Sequence, residues 1–85
     1  MNNKTSMYHY LWQALKANRK ILIQTENHIV AARVAKAVRK RKDLDKVFRV
    51  HRIYTNKKYI IRSIVSENGK LLTLTLTELN SIDTI

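Results

Sequence analysis

Residues 59–78 read YIIRSIVSENGKLLTLTLTE, which predicts two antiparallel strands, Tyr59–Ser66 and Leu71–Glu78, joined at Asn68-Gly69. An Asn-Gly pair favours a two-residue type I′ turn, in which both central residues adopt positive φ. Because side chains alternate along a strand, such a turn also sets the register and gives the hairpin one apolar face. The register pairs Glu67 with Lys70, Val65 with Leu72, Ser63 with Leu74 and Ile61 with Leu76. The core face consists of Tyr59, Ile61, Val65, Leu72, Leu74 and Leu76.

Upstream of this hairpin, apolar residues at helical spacing predict a first helix over Ser6–Ala17, with Tyr8 and Trp12 in the core. Ser6 is the expected N-cap, and Asn18 is a plausible stop because asparagine tolerates the left-handed conformation. The run Lys20–Thr25 is β-branched and apolar on both faces, which predicts a strand inside the sheet rather than at its edge.

A second helix is expected from a cap at Thr25 or Asn27 to about Lys42, because its valines and alanines share one face. The next segment, Val47–Thr55, is rich in β-branched residues and predicts another strand, the second of four in chain order.

The length of the loop after Val47–Thr55 decides which side chains of this strand face the core, and the sequence does not fix that length. A two- or four-residue loop buries Phe48, Val50 and Tyr54 and brings Arg52 into the core, whereas a three-residue loop buries Val47 and Ile53 together with Arg49 and His51. The first arrangement buries fewer charges and is preferred. It leaves an open sheet face that carries Arg49, His51 and Arg62.

The predicted order α-β-α-β-β-β indicates a two-layer α+β fold with a mostly antiparallel sheet and both helices on one face. The 85 residues suffice for one domain, residues 6–78, between a loose N-terminus (1–5) and a loose tail (79–85). The apolar runs are too short for a membrane span or a signal-peptide core, and cysteine is absent. A cytoplasmic location, in a bacterium or a virus-infected host cell, is therefore expected, with no membrane partner.

The charge is concentrated in the middle of the chain. The formal net charge is +11, and residues 27–66 carry twelve of the Lys and Arg residues against Asp43 and Asp45 alone. Like charges at this density repel one another and favour a polyanionic partner. These cations are expected to form one continuous basic strip over the second helix and the adjacent hairpin. The candidate nucleic-acid-binding residues are Arg33, Lys36, Arg39, Lys40, Arg41, Lys42, Arg49, Arg52, Lys57, Lys58 and Arg62.

Catalytic, metal and cofactor sites are not expected. His9, His28 and His51 match no metal-ligand spacing, and Asp43 and Asp45 fall where a helix should end. A single glycine excludes the glycine-rich nucleotide-binding loops. The sequence therefore predicts a protein without enzymatic activity, cofactor or metal.

The leading hypothesis is a small nucleic-acid-binding protein that contacts phosphates largely independently of base sequence. Arg33, Lys36 and Lys40 lie three and four residues apart and would form one row on the second helix. Tyr10 is the one aromatic ring expected to be exposed, and base stacking needs exposed rings, so duplex DNA or structured RNA is favoured over single strands.

Two alternatives involve protein partners. The basic surface could belong to a protein-interaction module or inhibitor that docks on an acidic surface of a nucleoprotein enzyme, as a viral or mobile-element accessory protein would. The strand Leu71–Glu78 could instead lie at a sheet edge and pair with a second copy as a homodimer.

Overall fold

The computed structural model describes residues 3–79, which form three helices and one antiparallel sheet and confirm the predicted α+β class. The order is α-β-α-α-β-β: α1 (Asn3–Asn18), β1 (Lys20–Gln24), α2 (His28–Leu44), α3 (Lys46–Thr55), β2 (Lys58–Val65) and β3 (Leu71–Leu79). The predicted loose ends overlap α1 and β3 at residues 3–5 and 79, and their other residues lie outside the described part. Among residues 3–79, no helix is both long enough and apolar enough to span a membrane.

The sheet has the order β1-β3-β2, so β3 lies between the other two strands. The pairs Ile61–Leu76, Ser63–Leu74 and Val65–Leu72 confirm the predicted register. The alternative that Leu71–Glu78 lies at an edge and pairs there with a second copy is wrong, because β1 and β2 occupy both sides of β3.

The strand β1 is an edge strand, contrary to the prediction that it lies inside the sheet. Its apolar residues alternate between two environments: Ile21 and Ile23 pack against the core, whereas Leu22 is 62% exposed on the other face. Apolarity on both faces misled the prediction, since only one face of this sheet is covered by helices.

The hairpin loop keeps the predicted register but is not a type I′ turn. Ser66 N donates to Leu71 O at 2.9 Å, and Gly69 N donates to Ser66 O at 2.9 Å. Gly69 has φ 77°, whereas Asn68 lies outside the positive-φ region that a type I′ turn requires of both residues. The Asn68 side chain instead accepts from Lys70 N at 3.0 Å and from Ser66 Oγ at 2.8 Å, which stabilises a wider loop.

This loop docks on the start of α2. Thr25 donates to it twice, from N to Lys70 O at 2.9 Å and from Oγ1 to Gly69 O at 2.7 Å. A Cβ atom at Gly69 would lie 2.6 Å from both the backbone N and Nδ1 of His28, so the contact requires glycine. Of the two predicted caps, Asn27 is the N-cap of α2 and accepts from Val30 N at 2.9 Å.

The core lies between the helices and one face of the sheet. The small side chains on α2 allow that helix to approach the strands closely, and Trp12 and Tyr8 pack inward as predicted. The buried residues are Trp12, Leu15, Ala31, Val34, Ala35, Val38, Phe48, Tyr59, Ile61, Leu72, Leu74 and Leu76.

The segment Val47–Thr55, which was predicted to be a strand, belongs to the helix α3. Two caps define it: Asp45 Oδ1 accepts from Phe48 N at 3.0 Å, and Asn56 adopts the left-handed conformation with φ 56°. These caps satisfy end groups of a helix and outweigh the β propensity of the segment.

This change reverses most of the burial predicted for the segment. Phe48 is buried as predicted, but Val50 is exposed and Tyr54 is 92% exposed. Arg49 and His51 lie on α3 rather than on an open sheet face, so the prediction that they share that face with Arg62 was wrong.

The first helix also differs from its prediction at both ends. It begins at Asn3, so Ser6 is not its N-cap. Arg19, rather than Asn18, adopts the left-handed conformation after the helix, with φ 70°, and its N donates to Leu15 O at 2.7 Å. The Asn18 side chain donates to Ala14 O at 2.9 Å, which stabilises the last turn in a different way.

Candidate nucleic-acid interface

Three cations form a row on the outward side of α2. Arg33, Lys36 and Lys40 are all exposed, while Ala31, Val34, Ala35 and Val38 bury the opposite side of the helix. With a rise of about 1.5 Å per residue, the row extends over about 10 Å of the helix axis. We name these three residues the α2 basic row.

No carboxylate within residues 3–79 pairs with the α2 basic row. The ion pairs in this range join Lys16 to Asp45 at 2.8 Å, Lys42 to Asp43 at 3.4 Å and Lys57 to Glu78 at 3.4 Å. The charges of the row are therefore available to an external anion.

Arg39 was predicted to belong to the binding surface, but it is half-buried and fastens α2 to the sheet. Its Nε and Nη2 donate to Ile61 O at 3.3 and 3.2 Å, and Nη2 also donates to Ser63 Oγ at 2.9 Å. In an antiparallel sheet, residue pairs that exchange backbone hydrogen bonds alternate with pairs that do not. Ser66 and Leu71 are hydrogen-bonded across the hairpin, so Ile61, five residues earlier on β2, is in a pair that is not. The backbone N and O of Ile61 therefore point away from β3. Arg39 thus covers the outer edge of β2.

Arg41 and Lys42, the last two cations of α2, do not belong to the α2 basic row. Arg41 is half-buried and lines a cleft together with Trp12 and Leu44, because it lies toward the apolar side of the helix. The Lys42 side chain is only 11% exposed and pairs with Asp43.

The basic surface continues from α2 onto the start of α3. Arg49 is exposed, and its Nη2 donates to Asp43 O at 2.7 Å, which places it beside the last turn of α2. Lys46 is exposed on the same short helix and was missed, because it stood in an assumed turn before a strand. Arg52 is half-buried and adds less to this surface.

The remaining predicted cations lie elsewhere. Lys57 pairs with Glu78. Lys58 and Arg62 project from the sheet face that the helices do not cover, where Thr75 lies between Arg62 and Lys20. The eleven predicted residues therefore do not form one continuous strip, because these last cations and the α2 basic row lie on opposite sides of the sheet.

The open sheet face carries no aromatic ring within residues 3–79. Tyr59 is buried, and the exposed apolar side chains of this face are aliphatic, including Leu22, Ile60 and Ile64. Tyr10 is exposed as predicted, at 72%, and Tyr54 is exposed on α3. Neither ring provides a stacking platform on the sheet.

The acidic residues and histidines do not assemble a metal site within residues 3–79, where no three such side chains converge. Asp45, which the sequence placed at a helix exit, is both the C-cap of α2 and the N-cap of α3. Its carboxylate is engaged by Trp12, Lys16 and the backbone N of Phe48. Its role in the described structure is to hold the helices together.

No protein-family model, curated protein or solved structure matches this chain. The surface chemistry described above therefore carries the functional interpretation.

Proposed function

We propose that this chain is a small, non-enzymatic nucleic-acid-binding protein that contacts the phosphates of duplex DNA or structured RNA through the α2 basic row. The observation that carries the proposal is the combination of three exposed cations in line and no carboxylate partner within residues 3–79. Cations in this arrangement displace condensed counterions from a polyanion on binding.

The spacing of the row suits a phosphate backbone. Each strand of a duplex advances about 3.4 Å along the duplex axis per nucleotide. A row about 10 Å long on α2, laid along that axis, therefore passes about three phosphates of one strand. Arg49, which contacts Asp43 O at the last turn of α2, and Lys46, at the start of α3, add two exposed cations near the end of the row. The buried face of α2 fixes the row on the sheet, so little ordering of the backbone is required on binding.

The side chains beside the row support binding without base readout. Among the exposed neighbours of the row on α2, Ile29 and Ala32 carry no group that can hydrogen-bond a base edge, and the carboxylate of Asp43 is paired with Lys42. The absence of rings from the described open sheet face supports duplex or structured targets over stacked single strands.

The salt dependence of affinity tests the proposal. If the α2 basic row, Lys46 and Arg49 neutralise about five phosphates of duplex DNA, the logarithm of the association constant should fall with log salt with a slope of about −4.5. Fluorescence anisotropy with a labelled duplex at several salt concentrations measures this slope. An affinity that does not change with salt would contradict phosphate contacts.

Paired variants locate the contacts. Lys36→Gln/Lys40→Gln should make the slope shallower by about 2 units, whereas Lys58→Gln/Arg62→Gln, on the opposite side of the sheet, should leave it unchanged. Replacing Arg33, Lys36 and Lys40 with glutamate should abolish binding. An equal change of slope in the two double variants would place the binding surface elsewhere. Unchanged binding by the triple glutamate variant would show that the α2 basic row does not contact the nucleic acid.

A further inference from the structure

An apolar surface that the proposed function does not use lies on and beside α3. Its five large side chains are between 55% and 92% exposed, and we name them the α3 apolar face. They are Leu44, Val47, Val50, Ile53 and Tyr54. A cluster of exposed large apolar residues on a small, highly charged protein marks a site of interaction.

Most large apolar side chains of α3 face solvent, whereas an ordinary surface helix packs its apolar face against the core. Phe48 is the only buried residue of α3, and Val47, Val50 and Tyr54, at spacings of three and four, face outward. Helices of ten residues are marginal alone, and most helical stability in proteins comes from packing an apolar face. Here the caps at Asp45 and Asn56 hold the helix while its apolar face remains uncovered.

Two clefts border this face where α3 meets α1. One has a volume of about 280 Å³ and is lined by Val47, Phe48 and Tyr59, and the other, of about 390 Å³, is lined by Trp12, Leu44 and Val47. Val47 and Lys16 line both clefts, so the two are neighbours. We name the two clefts together the α3 groove, and the buried rings of Trp12, Phe48 and Tyr59 form part of its lining.

The rim of this groove is cationic. Arg19 lines the first cleft and Arg41 the second, and Lys16, which lines both, is paired with Asp45 in the second cleft. Neither Arg19 nor Arg41 pairs with a carboxylate within residues 3–79, and Lys46, outside both clefts, is exposed at the start of α3. The groove therefore combines apolar contact area with uncompensated positive charge.

We propose that the α3 apolar face and its groove bind an acidic amphipathic helix of a partner protein. Apolar side chains of that helix would cover Val47, Val50 and Tyr54, and its flanking carboxylates would meet the cationic rim. A second copy fits less well, because a two-fold contact would bring Lys46 and Arg49 of both chains together, in a protein of net charge +11.

The test uses the full chain and two labelled synthetic peptides. One is an 18-residue helix-forming peptide with a leucine stripe and glutamate flanks, and the other has the same composition with the stripe scrambled. The striped peptide should bind about tenfold more tightly than the scrambled one by fluorescence anisotropy.

Val50→Gln/Tyr54→Gln should remove this preference, because it deletes apolar contact area without changing charge. Glutamine is a good helix former, and circular dichroism with thermal unfolding should show a folded protein. The matched control, Lys36→Gln/Lys40→Gln, changes the α2 basic row and should leave the preference for the striped peptide within about twofold.

Equal binding of the two peptides, or an unchanged preference in Val50→Gln/Tyr54→Gln, would overturn the proposal. A wild-type dimer in sedimentation velocity that this variant converts to a monomer would assign the face to a second copy. A loss of duplex affinity in the variant would assign it to the nucleic-acid surface. A failure of duplex binding in the wild type alone would leave the peptide result standing, so the two proposals fail separately.

Discussion

The indole nitrogen of Trp12 donates to Oδ2 of Asp45 at 2.8 Å, across 33 positions of sequence. The same oxygen accepts from Lys16 Nζ at 2.8 Å, while Oδ1 accepts from the backbone N of Phe48 at 3.0 Å. One carboxylate thus joins α1 to the junction of α2 and α3. The edge-on contact of the Trp12 and Phe48 rings, with centroids 5.1 Å apart, packs beside it.

The first prediction concerns the acid stability that Asp45 provides. Burial raises the pKa of this carboxyl, but hydrogen bonds from Lys16, Phe48 and Trp12 and the charge of Lys16 outweigh that effect and lower the pKa from 3.8 to about 2. Because the folded-state pKa is depressed, the stabilisation is present above the unfolded pKa and is lost as the pH falls from about 4 toward 2.

In Asp45→Asn, the free energy of unfolding should therefore fall less steeply as the pH is lowered below about 4, because asparagine still caps a helix but carries no charge. Urea unfolding between pH 6 and pH 2 should show the wild type losing about 1–2 kcal/mol more than the variant over that window. Parallel stability curves would show that the Asp45 carboxylate does not contribute in this way.

The second prediction concerns the contact between Gly69 and α2. Gly69→Ala would place a methyl group 2.6 Å from His28 N at a residue whose φ is 77°, so it combines a clash with backbone strain. We expect a loss of about 2 kcal/mol in the free energy of unfolding. The control is Glu67→Ala in the same loop, where the side chain is exposed. Similar losses in both variants would mean that the loop does not dock as described.

The third prediction isolates the conformational cost at Arg19. Arg19→Ala and Arg19→Gly both remove the guanidinium that lies 5.5 Å from the centroid of the Tyr59 ring. Only glycine adopts the left-handed conformation without steric cost, so the glycine variant should be about 1 kcal/mol more stable than the alanine variant. Chemical denaturation of both variants measures this difference. Equal stability, or a more stable alanine variant, would contradict it.

The fourth prediction separates Arg39 from the α2 basic row. Arg39→Met should lower the free energy of unfolding by about 1 kcal/mol, because three donor contacts to β2 are lost, while the salt slope for duplex binding stays unchanged. Lys36→Met should leave the free energy of unfolding unchanged and make the salt slope shallower by about 0.9. If Arg39→Met changes the slope as much as Lys36→Met does, Arg39 also contacts phosphate.

Local patterns predicted the parts of the fold that depend on near neighbours in sequence. The register of β2 and β3 followed from side-chain alternation about a short loop, and side-chain chemistry narrowed the N-cap of α2 to Thr25 or Asn27, of which the structure has Asn27. The error at Val47–Thr55 has a local cause. Asp45 was read only as the end of one helix, although an aspartate three residues before Phe48 is also a suitable N-cap for the next.

The remaining errors depend on contacts that no local pattern contains. The helical spacing predicted that Arg33, Lys36 and Lys40 share one face of α2. It could not predict that Arg39 reaches the edge of β2, because that requires the position of α2 over the sheet. The position of Arg62, in contrast, was predicted correctly, because side-chain alternation along β2 puts it on the face opposite the core and therefore away from the helices.

The position of β3 between β1 and β2 has a consequence for synthesis on the ribosome. β1 and β2 are not neighbours in the sheet, so β1 has no strand to pair with until β3 has been translated. A nascent chain that ends before Leu71 therefore exposes Ile21 and Ile23, the core-facing residues of β1, without a sheet. Co-translational folding of this domain is delayed until β3 leaves the exit tunnel.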